Sequence, residues 1–187
     1  MLLKKLEEAA EGTYSLLEQL LTWSKTQRNK ITFQPVELNL SEIISEIFLL
    51  LKQSAHRKQI ELHSHIPEKT SIRADKHMLH TILRNLLSNA IKFSFYGGDV
   101  IVACRKKTKG FIEISVKDEG IGIPKQEIPK VLFIEEQYRQ KGTDNEEGTG
   151  LGLMLCKDFV EKHGGQLLLT SDEGKGTTVT ITLPSVT

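Results

Sequence analysis

Apolar and polar positions follow two different periods along this chain. Leu2, Leu6, Ala9, Thr13, Leu16, Leu20 and Trp23 alternate spacings of four and three, the seam of a heptad helix, and Leu3, Ala10 and Leu17 widen the stripe beside it. Glu7, Glu8, Glu11, Glu18 and Lys25 fall on other faces, and Gly12 weakens the helix by about 1 kcal/mol relative to alanine. One amphipathic helix cannot bury such a stripe alone. The pattern predicts a bundle with helices of a second chain, with packing on its own globular domain as the alternative. Gln27-Arg28-Asn29-Lys30 is polar and ends the seam, so the chain divides near residue 30.

From residue 31 onward strand and helix periods alternate. Ile31 to Leu38 is expected as a strand, and Asn39-Leu40-Ser41-Glu42 as the capped start of a helix running to about His56. Ile60 to Ile66 alternates as a half-buried strand does, Pro67-Glu68-Lys69 is a turn, and Ser71 to Ala74 is a short strand. Asp75 is placed to cap a helix whose core face is Leu79, Ile82, Leu83, Leu86, Leu87, Ala90 and Ile91. After the Gly97-Gly98 break, Asp99 to Arg105 and Phe111 to Lys117 read as a hairpin. Leu151 to Lys162 is helical, stopped by Gly164-Gly165, and Gln166 to Thr170 with Thr177 to Leu183 form a closing hairpin around Gly174-Lys175-Gly176. The expected fold class is α+β, a mixed sheet covered on one face by three helices and preceded by the long N-terminal helix.

Composition adds limits to this layout. With 39% apolar and 26% charged residues over 187 positions, the chain is neither disordered, collagenous nor a disulfide scaffold. A formal charge of +1 gives no reason to expect nucleic acid or an anionic membrane as partner. Cys104 and Cys156 lack CxxC spacing and are expected as buried reduced thiols. No apolar run reaches the roughly 18 residues of a membrane span and no signal peptide opens the chain, so a cytoplasmic location is expected for the chain as given.

Four clusters carry candidate chemistry. Asn85 and Asn89 stand four apart on one helix face with Lys92 following on the same side, opposite the core face. Two amide oxygens and an ammonium suit a magnesium–triphosphate site, although such a pair also occurs on plain solvated faces. Asp118-Glu119-Gly120-Ile121-Gly122-Ile123-Pro124 follows a strand, where glycines permit close approach to a flat ligand and an Asp can accept from an exocyclic amine; a simple turn is the alternative. Glu147-Gly148-Thr149-Gly150-Leu151-Gly152-Leu153 opens a helix, a setting for phosphate, but fits neither the Walker nor the dinucleotide fingerprint. Between these two lies a polar stretch with Phe133 and Tyr138 as aromatic anchors, readable as a lid or as an ordinary surface loop.

In this order and spacing, NLLSNAIKFS, DEGIGIP, LF and GTGLGL resemble the N, G1, F and G2 boxes of the histidine kinase ATP-binding domain of the GHKL superfamily. Asp75 and the closing EGKGTTVTITLP are also similar to that family, from about residue 37 to 184. The leading helix is similar to the second helix of the family's dimerisation and histidine-phosphotransfer domain. The resemblance thus assigns 1–30 to that partial domain and 31–187 to the ATP-binding catalytic domain. It implies the Bergerat fold, with ATP and magnesium (Mg2+) as cofactors. By it, Asp118 would accept the adenine amino proton, and Asn89 would hold magnesium with Asn85 beside it. Lys92 would touch the phosphates, and Gly120, Gly122, Ile123, Lys141, Gly148, Thr149, Gly150, Leu151 and Gly152 would frame the nucleotide. It also implies γ-phosphoryl transfer to a histidine, a response regulator receiver domain as partner, and homodimerisation of the parent through the N-terminal helix. The parent could be membrane-anchored with this region in the cytoplasm.

Two features depart from the family pattern. Leu132-Phe133-Ile134-Glu135-Glu136-Gln137-Tyr138 lacks the usual second Phe of the F box. None of the six histidines has the acid, base and proline of a phosphoacceptor box, so the acceptor is expected outside this chain and the histidines present as ordinary surface or helix residues. Related hydrolases of the GHKL superfamily carry a glutamate as base where Asn85 stands, and an amide cannot take a proton, which favours transfer over hydrolysis. An anti-sigma-type serine kinase and a nucleotide-binding dimerisation module without activity are the other readings.

Overall fold

Residues 32–107, 110–131, 140–146 and 150–186 are described by a computed structural model. The heptad helix, the F box with Phe133 and Tyr138, and Gly148 and Thr149 lie outside the described residues. The chain divides into two units, Met1–Thr32 and Phe33–Thr187, and every described element belongs to the second.

In chain order the elements are β1 (Pro35–Asn39), α1 (Leu40–Arg57), β2 (Glu61–His65), β3 (Ser71–Asp75), α2 (Lys76–Phe93), β4 (Asp99–Lys106), β5 (Phe111–Asp118), the short α3 (Ile128–Val131), α4 (Gly152–Lys162), β6 (Leu167–Asp172) and β7 (Gly176–Pro184). Both expected caps are present. The Asn39 side chain accepts from Ser41 N at 3.0 Å, and Asp75 Oδ1 accepts from Met78 N at 3.0 Å. Asp75 Oδ2 also accepts from Gln34 N at 3.0 Å, which holds the entry of the unit against the start of α2.

The strands form two sheets. β2-β4-β5-β7-β6 is mixed, with β2 and β4 parallel and the other pairs antiparallel, whereas β1 and β3 pair antiparallel in a separate two-stranded sheet. Pairing Val100 with Asp118 and Ile114 with Ile181 puts Val100, Val102, Ile112, Ile114, Val116, Ile181 and Leu183 on one face, all buried. That face is covered by the helices, through Ile43, Ile44 and Ile47 of α1, Ile82, Leu83, Leu86 and Leu87 of α2, and Leu155, Phe159 and Val160 of α4. Thr178, Thr180 and Thr182 alternate onto the opposite, open face. No helix among the described residues is long and apolar enough to cross a membrane.

Several expectations change. The strand expected from Ile31 begins at Pro35, because the β1 ladder starts only where Asp75 stands opposite. Cys156 is buried, but Cys104 is half-buried beside Thr70, and both are free thiols. His163 is no ordinary surface or helix residue. It is 5% exposed, its Nε2 accepts from Asp75 N at 2.9 Å, its Nδ1–H donates to Phe159 O at 2.6 Å, and Phe33 packs edge-on against its ring. This imidazole ties the end of α4 to the start of α2, with burial as the main cause holding its pKa below the usual value.

Candidate functional site

Three loops meet at the C-terminal end of α2. Ile121 N donates to Phe93 O at 3.1 Å and Phe95 N to Glu119 O at 3.3 Å, so the glycine loop after β5 is laced to the helix that carries Asn85, Asn89 and Lys92. From the other side, Gly174 N donates to Ile121 O at 2.8 Å and Ile123 N to Ser171 Oγ at 2.8 Å. Gly120 is required where the loop meets α2, since a Cβ there would lie 2.1 Å from Phe93 O.

Asp118 ends β5 at the floor of this arrangement, 6% exposed. Its Oδ1 accepts from Gly120 N at 3.1 Å and Thr177 N at 3.0 Å, whereas Oδ2 makes no hydrogen bond among the described residues. Burial pushes its pKa up to about 6, against the opposing pull of the Thr177 and Gly120 amides. The carboxylate is therefore fixed by one oxygen and presents the other.

On α2, Asn85 is 9% exposed and turns toward α4: a Cβ on Gly152 would lie 3.5 Å from Asn85 Oδ1. Its Nδ2 is buried without a hydrogen-bond partner among the described residues. Cys156 faces it from α4, where burial pushes the thiol up to about 12 against a smaller opposite pull from the Asn85 amide, and Sγ donates to Ile82 O at 3.6 Å. An orphaned buried amide beside a helix start costs stability unless something polar completes it. Asn89 and Lys92 are half-buried on the same helix, with the Lys92 ammonium 4.7 Å from the centroid of the Phe93 ring.

Leu151 is the N-cap of α4, and among the described residues no side-chain hydrogen bond caps the helix. Gly150, at φ +74°, is exposed, and among the described residues nothing lies within 4 Å of where a Cβ would stand. The exposed Gly150 turn and the unengaged Asp118 oxygen fit a nucleotide. Lys141 is exposed. Among the described residues, the His and acidic side chains whose donor atoms converge within 4.8 Å are Glu61, His63 and Asp99, on β2 and β4, and they include none of the expected site residues.

Sequence reasoning missed Thr177, whose backbone N–H anchors Asp118 from 59 residues away; a main-chain donor leaves no signal in residue type. It also missed Lys58, Thr143 and Glu146, which gather at the end of α2.

The sequence pattern of the family described as "Histidine kinase-, DNA gyrase B-, and HSP90-like ATPase" matches residues 74–187. The chain is 31% identical over 182 residues to the adaptive-response sensory kinase SasA of Parasynechococcus marenigrum, covering 97% of this chain and 46% of the relative. It spans 22% to 50% of the length of the first curated relatives it matches. Among solved structures, the catalytic domain of histidine kinase ThkA superposes with a TM-score of 0.69 at 25% identity, covering 81% of this chain and 96% of that one. A ThkA complex with the response regulator protein TrrA gives a TM-score of 0.69 at 21% identity, covering 93% and 49%. Full-length ShkA in complex with AMPPNP gives 0.81 at 24% identity, covering 98% and 38%. With the family pattern matched over more than half its length, and with this fold and these relatives, the chain belongs to the histidine kinase-, DNA gyrase B- and HSP90-like ATPases, on the histidine kinase side of that family.

Proposed function

We propose that this chain is the ATP-binding catalytic region of a two-component sensor histidine kinase, and that it promotes transfer of the γ-phosphoryl group to a histidine outside these 187 residues. The observation that carries the reading is Asp118, a buried carboxylate anchored through Oδ1 by two backbone amides and offering Oδ2 alone. One fixed acceptor in a dry floor selects an amino group, which adenine has at the corresponding edge and guanine lacks.

In this reading Asp118 orients the base, and the glycine loop from Gly120 to Ile123 forms one wall. The amides at the start of α4, from Gly150 to Gly152, receive phosphate oxygens, and Gly148, Thr149 and Lys141 belong to the same frame. Lys92 balances phosphate charge; Asn89, with Asn85 beside it, would hold magnesium, which supplies charge neutralisation for a loose phosphoryl transition state. Catalysis here is positioning and electrostatics, since Asn85 cannot act as a base. Residues 1–30 belong to a partial dimerisation and histidine-phosphotransfer domain, the receiver domain of a response regulator takes the phosphoryl group onward, and the region works in the cytoplasm. The ThkA–TrrA complex supports the partner class by analogy, and the ShkA–AMPPNP complex supports the nucleotide.

Calorimetry with ATP and GTP analogues in the presence of magnesium tests the reading. Preference for the adenine nucleotide is expected; equal affinity for both bases would remove the Asp118 assignment. Labelling of a separately supplied phosphotransfer domain, and not of the chain itself, is the second expected result; acid-labile labelling of the chain alone would place the acceptor among its own six histidines.

A further inference from the structure

Lys58 is a buried lysine that the nucleotide chemistry above leaves unused. It stands in the turn that closes α1, is 3% exposed, and its ammonium meets Ile91 O at 3.1 Å, Lys92 O at 2.6 Å and Glu146 Oε1 at 2.9 Å. Three acceptors match the three protons of an ammonium. Two of them are carbonyls at the C-terminal end of α2, where the helix dipole favours a cation, and the third supplies the opposite charge that a buried ammonium requires.

Glu146 belongs to a closed turn. Gly142 N donates to Glu146 O at 2.9 Å, Asn145 N to Gly142 O at 3.0 Å, and Asp144 N to Glu146 Oε2 at 2.8 Å. The turn is docked on the same helix end, with Thr143 N donating to Lys92 O at 3.2 Å and Thr143 Oγ1 to Ser94 O at 2.7 Å. The Tyr96 hydroxyl adds a bond to the Asp144 carboxylate, which with lesser causes raises its pKa. Burial pushes the Glu146 carboxyl up, but the Lys58 ammonium and backbone amides outweigh it and hold it below the usual value. A Cβ on Gly142 would lie 2.7 Å from Lys92 Cγ and 2.3 Å from Glu146 Oε2, so the turn rests directly on the stem of Lys92.

We propose that Lys58 is a positioning residue for the nucleotide site: it pins the turn Gly142–Glu146 to the end of α2 and thereby fixes the stem of Lys92, the lysine that the proposed function assigns to phosphate. The proposal rests on the nucleotide reading above and deepens it. Lys58 touches no part of the ligand; it acts through the Lys92 carbonyl and through Glu146. Removing it strands two helix-end carbonyls and a carboxylate, loosens the turn, and releases Lys92 to its other rotamers. The loss falls on the triphosphate end of the ligand. The adenine end keeps its affinity, because Asp118 is anchored by Gly120 and Thr177 instead.

The test uses the full 187-residue chain, titrated with AMPPNP plus magnesium by calorimetry and with adenosine by amide NMR shifts. Lys58→Met and Glu146→Gln are each expected to weaken AMPPNP binding about tenfold or more, the scale of one charge-assisted contact, with adenosine affinity kept within about twofold. Combining either with Lys92→Met is expected to add nothing to the loss from Lys92→Met alone, since all three act through one group. An equal loss for adenosine and AMPPNP would reduce Lys58 to a structural role and overturn the proposal. So would unchanged AMPPNP affinity in Glu146→Gln, the variant at the more exposed partner, which decides the matter if Lys58→Met does not fold. A wild-type chain that binds neither ligand overturns the nucleotide reading itself, and the proposal with it; binding of both by the wild type separates the two failures.

Discussion

Asp118 and His163 are both buried titratable groups, and burial shifts them in opposite directions. Asp118 loses its charge near pH 6, and protonation turns Oδ2 from acceptor into donor. Adenine-nucleotide affinity should therefore hold from pH 7.5 down to about 6 and then fall, by up to about tenfold per pH unit, in calorimetric titrations. Asp118→Asn keeps an oxygen for Gly120 and Thr177, so it should melt no lower than the wild type at pH 7.5 while losing roughly 1–3 kcal/mol of nucleotide affinity. For His163 the folded pKa lies below the ordinary histidine value of 6.5, so its contribution is present above about 6.5 and is lost as pH falls through the window beneath it. Denaturant midpoints measured in the Asp118→Asn background, which removes the contribution of opposite sign, should drop between pH 7.5 and 5.5, and His163→Asn should flatten that slope. At this scale side-chain type was enough to single out Asp118, Asn89 and Lys92 as candidates, and the structure places Asp118 buried at the end of β5. The sequence was opaque at His163 and Lys58, whose partners are backbone atoms 88 and 34 residues away.

Among the elements, α1, α2 and α4 were readable because period, cap and glycine stop agreed: Asn39 and Asp75 cap as their types suggest, and Gly164 takes φ +75° after α4. The separate β1–β3 sheet was not readable, since alternation says that a strand has one buried face and nothing about its partner. The polar stretch before α4 was readable as a lid or as an ordinary surface loop. Its described part, Gln140–Glu146, is a hydrogen-bonded turn, because the Lys92 carbonyl of α2 accepts from Thr143 and the Lys58 ammonium donates to Glu146. Hydrogen exchange in nucleotide-free protein should accordingly find the amides of Gly142, Thr143, Asp144 and Asn145 slower than those of an unbonded loop, and Glu146→Gln should speed them. Fast exchange at all four in the unmodified chain would contradict the docked turn.

Across the described unit, the sheet face toward the helices carries the fully buried apolar side chains, whereas Thr178, Thr180 and Thr182 stand half-buried on the opposite face. Ile114, fully buried in the central strand β5, should cost about 2–5 kcal/mol when cut to alanine, whereas Thr180→Ala on the opposite face should stay within roughly 0.5 kcal/mol. Urea unfolding of the two variants compares them directly, and similar losses would mean that the open face is also packed. The α+β class and the helix-covered sheet were legible from the alternating periods. The strand order was not, since β2 joins β4 in parallel across the whole of β3 and α2, a long-range pairing that local patterns do not encode.

The bond from Thr177 N to Asp118 has a consequence for the order in which the ribosome delivers the site. A nascent chain that has reached residue 170 already contains every glycine box, all of α2 and all of α4. It still lacks the second amide that steadies Asp118 and the Gly174 N–H that holds Ile121 from outside. If Asp118 orients the base as proposed, binding competence arrives with the final hairpin rather than growing box by box. Cellular ATP is then no folding ligand for the unfinished domain, and begins to stabilise it only after β6 and β7 have closed.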